Sequence, residues 1–305
     1  MKITSSFLFG ILLLWSTAQS YAIYILGDHK DEINSSPLIE NGGEKFEGNF
    51  YPTRNGQIVG PLKGTVVSRK HFATITHNGG KPGDRFKFHG MFYHVVTNYV
   101  DGNITLWEIS ERFPSSRIAS LYTGRDEEGK GICVSGNGPR KGRLVTTALY
   151  VSSQPEPILF TNGWVAGEWF GETSSGMNTI ELVSDNWFAT YFNQTGGYYE
   201  CSAGPYDSGG GAFIKVKITK NKLVWQLAGL VLSGEEGPYR LQSGEVVYGP
   251  MIDKSGLTAV YWNGTEWVDY HKYPVDGVVK PTVTVYERIS SHLAFFKRVI
   301  GKDWK

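Results

Sequence analysis

The sequence predicts an all-β protein that closes on a single helix. Three observations carry this. Short runs rich in Val, Ile, Tyr, Phe, Trp and Thr alternate with Gly, Asn and Asp, among them 86–88, 92–98, 104–109, 144–150, 213–218, 223–231 and 259–262. The 38 glycines recur along the whole chain and favour turns over helix interiors. No amphipathic helical period occurs until residues 285–300, where Ile289, Leu293, Phe296 and Val299 fall at helical spacing. Many short strands with frequent turns imply a sandwich or a pair of barrels.

Taken in order, residues 1–22 read as a secretory signal. Lys2 supplies a basic start, Phe7 to Trp15 is a short apolar run, and Ser20-Tyr21-Ala22 offers small residues for cleavage. The apolar run is too short for a spanning helix, so the expected product is exported, secreted or periplasmic, with no membrane segment after cleavage. An uncleaved N-terminal anchor is the alternative. The remaining roughly 280 residues suit one large domain or two barrels of about 120. Net charge is +1 with no long charged block, so no nucleic-acid partner is expected. Hydrophobic residues at 40% suffice for a sizeable core.

Residues 114–130 are polar and read as a linker, giving units at 23–120 and 121–305. Residues 234–280 are aromatic-rich and irregular, as loop and hairpin insertions would be. Sequons begin at Asn34, Asn103, Asn193 and Asn263. Cys133 and Cys201 could form one disulfide in an oxidising compartment. No His or Cys stands at ligand spacing to either, so neither metal nor other cofactor is expected.

The chemistry centres on Tyr206-Asp207-Ser208-Gly209-Gly210-Gly211. Glycines after a serine permit a tight bend that leaves the hydroxyl exposed and backbone N–H groups free to face a ligand. Asp, Ser and Gly are also ordinary turn residues, so the string alone is a weak signal. Upstream, residues 64–77 form a strand, a turn and an apolar stretch ending at His77. That segment resembles the trypsin-like (chymotrypsin-fold) serine peptidases, whose "TAAH"-type stretch carries the general base. Four further matches follow in family order: 113–120 with the inter-barrel linker, 133–138 with the strand opening the second barrel, 207–210 with the nucleophile loop, and 285–293 with the start of the terminal helix.

The resemblance covers most of 57–300 and is nearest to bacterial exported members with few disulfides, which carry a segment like Gly163-Trp164. It implies two antiparallel six-stranded β-barrels with a C-terminal α-helix. It also implies a monomeric endopeptidase acting on peptides or proteins, with Ser208 as nucleophile and His77 as base. By the same likeness Ser202 lies at the specificity-pocket position, with Leu232, Ser233 and Gly234 as the pocket edge strand.

The chain departs from the family at two places. The family's acid position aligns with Asn103; Asp101, two residues earlier, is a substitute acid or a plain turn residue. The glycine that donates one oxyanion-hole N–H, paired with that of Ser208, is here Tyr206. A catalytically impaired relative that binds proteins is therefore the alternative function. Asp207 in the family can pair with a new N-terminal amine after propeptide cleavage. Ile58-Val59-Gly60 looks like such a terminus but lies too near His77, and reads as an ordinary strand. His71, His89 and His94 read as surface or satisfied core residues, and His292 as partly exposed.

Overall fold

A computed structural model describes residues 23–26, 43–137, 139–149, 156–169, 174–197, 199–204, 206–220 and 222–301. Asn34 and the expected signal lie outside these residues.

The alternation seen in the sequence closes a six-stranded barrel. Its strands run in the order Glu47–Tyr51, Leu62–Val66, His71–Ile75, Ile104–Ile109, Met91–Asp101 and Arg85–Phe88, and the last pairs back onto the first. Successive side chains in a strand point to opposite faces, so one set must fill the barrel. Phe50, Phe72, Phe86, Phe88, Trp107 and Phe113 do so, with Phe72 and Phe86 stacked at 4.0 Å. Space for these rings comes from Gly48 and Gly64, where a Cβ would stand 2.5 and 2.8 Å from the Phe86 and Phe72 rings. Phe72→Ala would remove about 3–5 kcal/mol from such a core.

The second lobe is an eight-stranded sheet rather than a second closed barrel. Its path runs from Ser174–Thr179 through Gly131–Gly136, Gly211–Thr219, Lys222–Gly234, Val283–Arg288 and Trp187–Tyr191 to Leu182–Val183, with Ser120–Leu121 joined in parallel to Lys222–Gly234. The described residues are thus mostly β, a closed barrel beside a half-barrel with one C-terminal α-helix. An apolar core joins the lobes: Ala73, Ile75, Ile104 and Leu106 on the barrel's outer face pack with Phe213, Leu227, Leu230, Ile289 and Phe296.

Four expectations are corrected in detail. The helix begins at Leu293, not at 285, because Val283–Arg288 is a strand paired on both sides. The stretch read as a loose linker carries the Ser120–Leu121 strand and the fully buried Glu127. The irregular region 234–280 holds a four-stranded sheet built on Tyr239, Val247, Met251 and Leu257. Residues 23–26, assigned by sequence to the first unit, pair instead with the second lobe, Tyr24 opposite Ser202 and Ile25 opposite Cys201.

Candidate active site

The strand His71–Ile75 ends in a single turn of 3-10 helix, Thr76–Asn78, because Thr76 N–H is taken by Asn103 C=O and the chain must bend. That turn carries His77 to the lobe boundary. Ser208 arrives from the other lobe on the bend after Ser202. His77 Nε2 and Ser208 Oγ are 2.9 Å apart, hydrogen-bond distance for a base and its nucleophile. Two residues 131 positions apart in sequence thus meet.

The bend is held from several sides. Gly209 N–H donates to Val231 C=O at 2.9 Å and Gly210 N–H to Asp207 C=O at 2.7 Å. Gly209 has φ +88°, and a Cβ there would meet Thr74 Oγ1 at 2.1 Å, so only glycine fits. Asn78, next to the histidine, donates from Nδ2 to Ser208 C=O at 2.7 Å and to Thr74 Oγ1 at 2.8 Å. Sequence reasoning passed over Asn78, and nothing local distinguishes it from any polar turn residue. Among the described residues Ser208 N–H has no hydrogen-bond acceptor within the protein, as an oxyanion donor requires. Tyr206 takes φ +66°, the left-handed conformation that glycine adopts without cost. The Cβ at this position therefore does not keep the backbone from turning.

Neither candidate acid reaches the base. Asn103 Nδ2 donates to Glu287 Oε2 at 2.9 Å, and Asp101 Oδ2 accepts from His292 Nδ1 at 2.8 Å. Asn103 backbone lies beside Thr76, but its side chain turns to the other lobe. His77 Nδ1 has no hydrogen-bond partner among the described residues. His292, expected to be partly exposed, is buried because its second nitrogen meets Glu287 Oε1 at 2.8 Å.

Arg54 caps the turn, donating to the backbone carbonyls of His77 and Asn78. Desolvation, and second the Arg54 charge, lower the His77 pKa from 6.5 to about 4. The residue itself remains exposed, and water at the ring limits that fall, so the downward direction is what bears on the chemistry.

At the pocket position, Ser202 is buried and its Oγ stands 3.2 Å from Thr284 Oγ1. Gly234 lies against Ala203, whose carbonyl a Cβ at 234 would meet at 2.1 Å. Leu232 and Ser233, on the same strand, are half-buried. The structure brings Ser202 and the 232–234 strand into one neighbourhood, with no charged side chain at Ser202 itself. Cys133 and Cys201 are both buried thiols and form no disulfide.

No protein-family model and no curated protein matches the chain. Among solved structures it is similar to neuropsin, a serine protease expressed in the limbic system of mouse brain. The identity is 10%, over 84% of this chain and 94% of that one, with a TM-score of 0.45. A likeness so slight decides nothing about the chemistry, for which the distances above are the ground.

Proposed function

We propose that the protein is an exported, monomeric serine endopeptidase that acts on peptide or protein substrates. The observation that carries this reading is the 2.9 Å approach of His77 Nε2 to Ser208 Oγ across the lobe boundary. In the proposed reaction Ser208 Oγ bonds to the scissile carbonyl carbon while its proton passes to His77 Nε2. The C–N bond then breaks, and the same proton leaves on the amine. Water then bonds to the acyl carbon while giving a proton to His77 Nε2; the C–Oγ bond breaks, and that proton returns to Ser208 Oγ as the acid product leaves. The N–H groups of Ser208 and Tyr206 would receive the charge that develops on the carbonyl oxygen.

A second reading, a protein-binding relative with an impaired site, is favoured by the lack of a carboxylate partner for His77 Nδ1 among the described residues. In the well-known chymotrypsin-type case, replacing that acid by Asn lowers kcat about 10⁴-fold. Ser202 is itself uncharged, which gives no support for cleavage after basic residues.

A fluorophosphonate probe separates the two. The peptidase reading expects covalent labelling of the folded wild type and none of Ser208→Ala. A folded wild type that resists the probe through long incubation would sink it.

A further inference from the structure

Asp207, the residue before the nucleophile, is a fully buried carboxylate. Its Oδ2 accepts from Gly204 N–H at 2.9 Å and its Oδ1 from Asn137 N–H at 3.0 Å. Two backbone donors orient a buried carboxylate but do not neutralise it. The partner comes from the first barrel. In the strands Glu47–Tyr51 and Leu62–Val66, Phe50, Leu62, Gly48 and Gly64 face inward. The register sets Glu47 opposite Thr65 and Asn49 opposite Lys63, so these four face outward together. An outward barrel face is normally wet, yet Lys63 is 2% exposed and Thr65 fully buried.

The nucleophile loop is what covers this strip. Asn49 Oδ1 accepts from Asn137 Nδ2 at 2.7 Å, Glu47 Oε1 accepts from Gly211 N–H, and Lys63 C=O accepts from Thr74 Oγ1 at 2.7 Å. A Cβ placed on Gly209 would stand 2.5 Å from Lys63 C=O, and one on Gly210 3.7 Å from Lys63 Cβ. Lys63 is therefore buried under the loop, close enough for its charge to act on Asp207, which Glu47 also influences.

We propose that Lys63 is the resident cation of Asp207 and a positioning residue for the nucleophile loop, setting Ser208 without an amine freed by chain cleavage. This rests on the peptidase reading for its catalytic consequence. Ile58, the sequence candidate for a freed terminus, is 59% exposed in a strand paired with Thr53, as an ordinary hairpin residue would be. The competing cation would be an amine at Ile23, which is buried near Ala203.

Burial raises the Asp207 pKa to about 8; the Gly204 and Asn137 N–H groups and Lys63 pull against that rise, and Glu47 adds to it. Glu236, Cys201 and Tyr286 are the other titratable groups that feel its charge. Removing Lys63 must push this carboxyl higher still, because a stabilising positive charge is lost.

The test uses the whole chain and two readouts, fluorophosphonate labelling from about pH 6 to 10 and amide exchange at Gly209 to Gly211. Lys63→Met is expected to slow labelling about 10²-fold, the scale of one lost oxyanion donor. Because Asp207 ionises near pH 8, the wild-type rate is expected to rise on the alkaline side, and Lys63→Met should move that rise to higher pH and speed loop exchange. Asp207→Asn should abolish that rise, and Lys63→Met should add little in the Asp207→Asn background. If Lys63→Met alone does not fold, the double variant is measured against Asp207→Asn with Glu47→Gln in both, so that no buried carboxylate is left facing the lost cation; a further large loss there overturns the proposal. Equal labelling and exchange in Lys63→Met and wild type overturn it too, as does a rate that collapses whenever Ile23 carries preceding residues. Wild type that never labels, yet whose loop exchange depends on Lys63, defeats the peptidase reading and leaves the positioning role standing.

Discussion

His77 must act, on the peptidase reading, without a carboxylate behind it. The neutral imidazole can accept the Ser208 proton, but the imidazolium that results is disfavoured by desolvation and by Arg54. The sign for pH dependence follows. The base works in its neutral form, so lowering its pKa extends activity to lower pH. Labelling of Ser208 is expected to hold as pH falls through 6.5 and to decline only towards the lowered pKa; a decline centred at 6.5 or above would contradict this environment. The obvious repair, Asn103→Asp, is expected to fail. Asn103 now donates to the Glu287 carboxylate, and an Asp there would face it with like charge. Losing a hydrogen bond to a charged acceptor should cost about 1.5–3 kcal/mol of stability in a denaturant melt, with no gain in labelling rate. Asn103→Asp combined with Glu287→Gln should recover most of that stability.

At the scale of elements, strands were legible where apolar and β-branched residues run together between turn signals. Residues 104–109 emerge with the bounds read from the sequence although both faces are buried, Trp107 in the barrel and Ile104 and Leu106 between the lobes. The terminal helix was misplaced because Val285 and Ile289 fit both a helical period and a strand feeding a helix. Periodicity over so few residues does not separate the two. The meeting of His77 with Ser208 was legible only through motif order, and the roles of Asn78, Lys63 and Glu127 were not legible at all. Each of those three acts through a partner more than 100 positions away, or from a face that local patterning assigns to solvent. Glu127 shows the consequence within the supposed linker. It is fully buried, accepts from Arg288 Nε at 2.9 Å and Nη2 at 2.6 Å, and takes Ser290 Oγ at 2.8 Å. Glu127→Ala strands the Arg288 guanidinium, so a loss of about 3–5 kcal/mol is expected by chemical denaturation. A loss under about 1 kcal/mol would mean the segment is as loose as its composition implies.

At the scale of the whole molecule, His292 ties the two lobes together. Asp101 ends a barrel hairpin and Glu287 lies on a second-lobe strand, and the buried imidazole bridges them at 2.8 Å on each side. Both ring nitrogens face carboxylates, and only the imidazolium can donate from both. Burial alone would lower the His292 pKa, but the hydrogen bonds and charges of Glu287 and Asp101 outweigh it, and the net shift is upward. A histidine whose folded pKa exceeds its unfolded value adds stability that is complete below the unfolded pKa, about 6.5, and is lost as pH rises through the folded one. Thermal or denaturant stability is therefore expected to fall above about pH 6.5 more steeply in wild type than in His292→Gln. The difference between the two proteins isolates this group from others that titrate nearby, such as Glu200, which burial raises to about 7. Parallel stability curves across that window would remove the charge from the bridge and leave His292 as packing alone. Because Asn103 shares Glu287 with His292, the clasp sits one residue-pair away from the strand that delivers His77. Loosening it at high pH should hold Ser208 labelling below the rate that Asp207 ionisation alone would give, and His292→Gln should label more slowly than wild type already at pH 6.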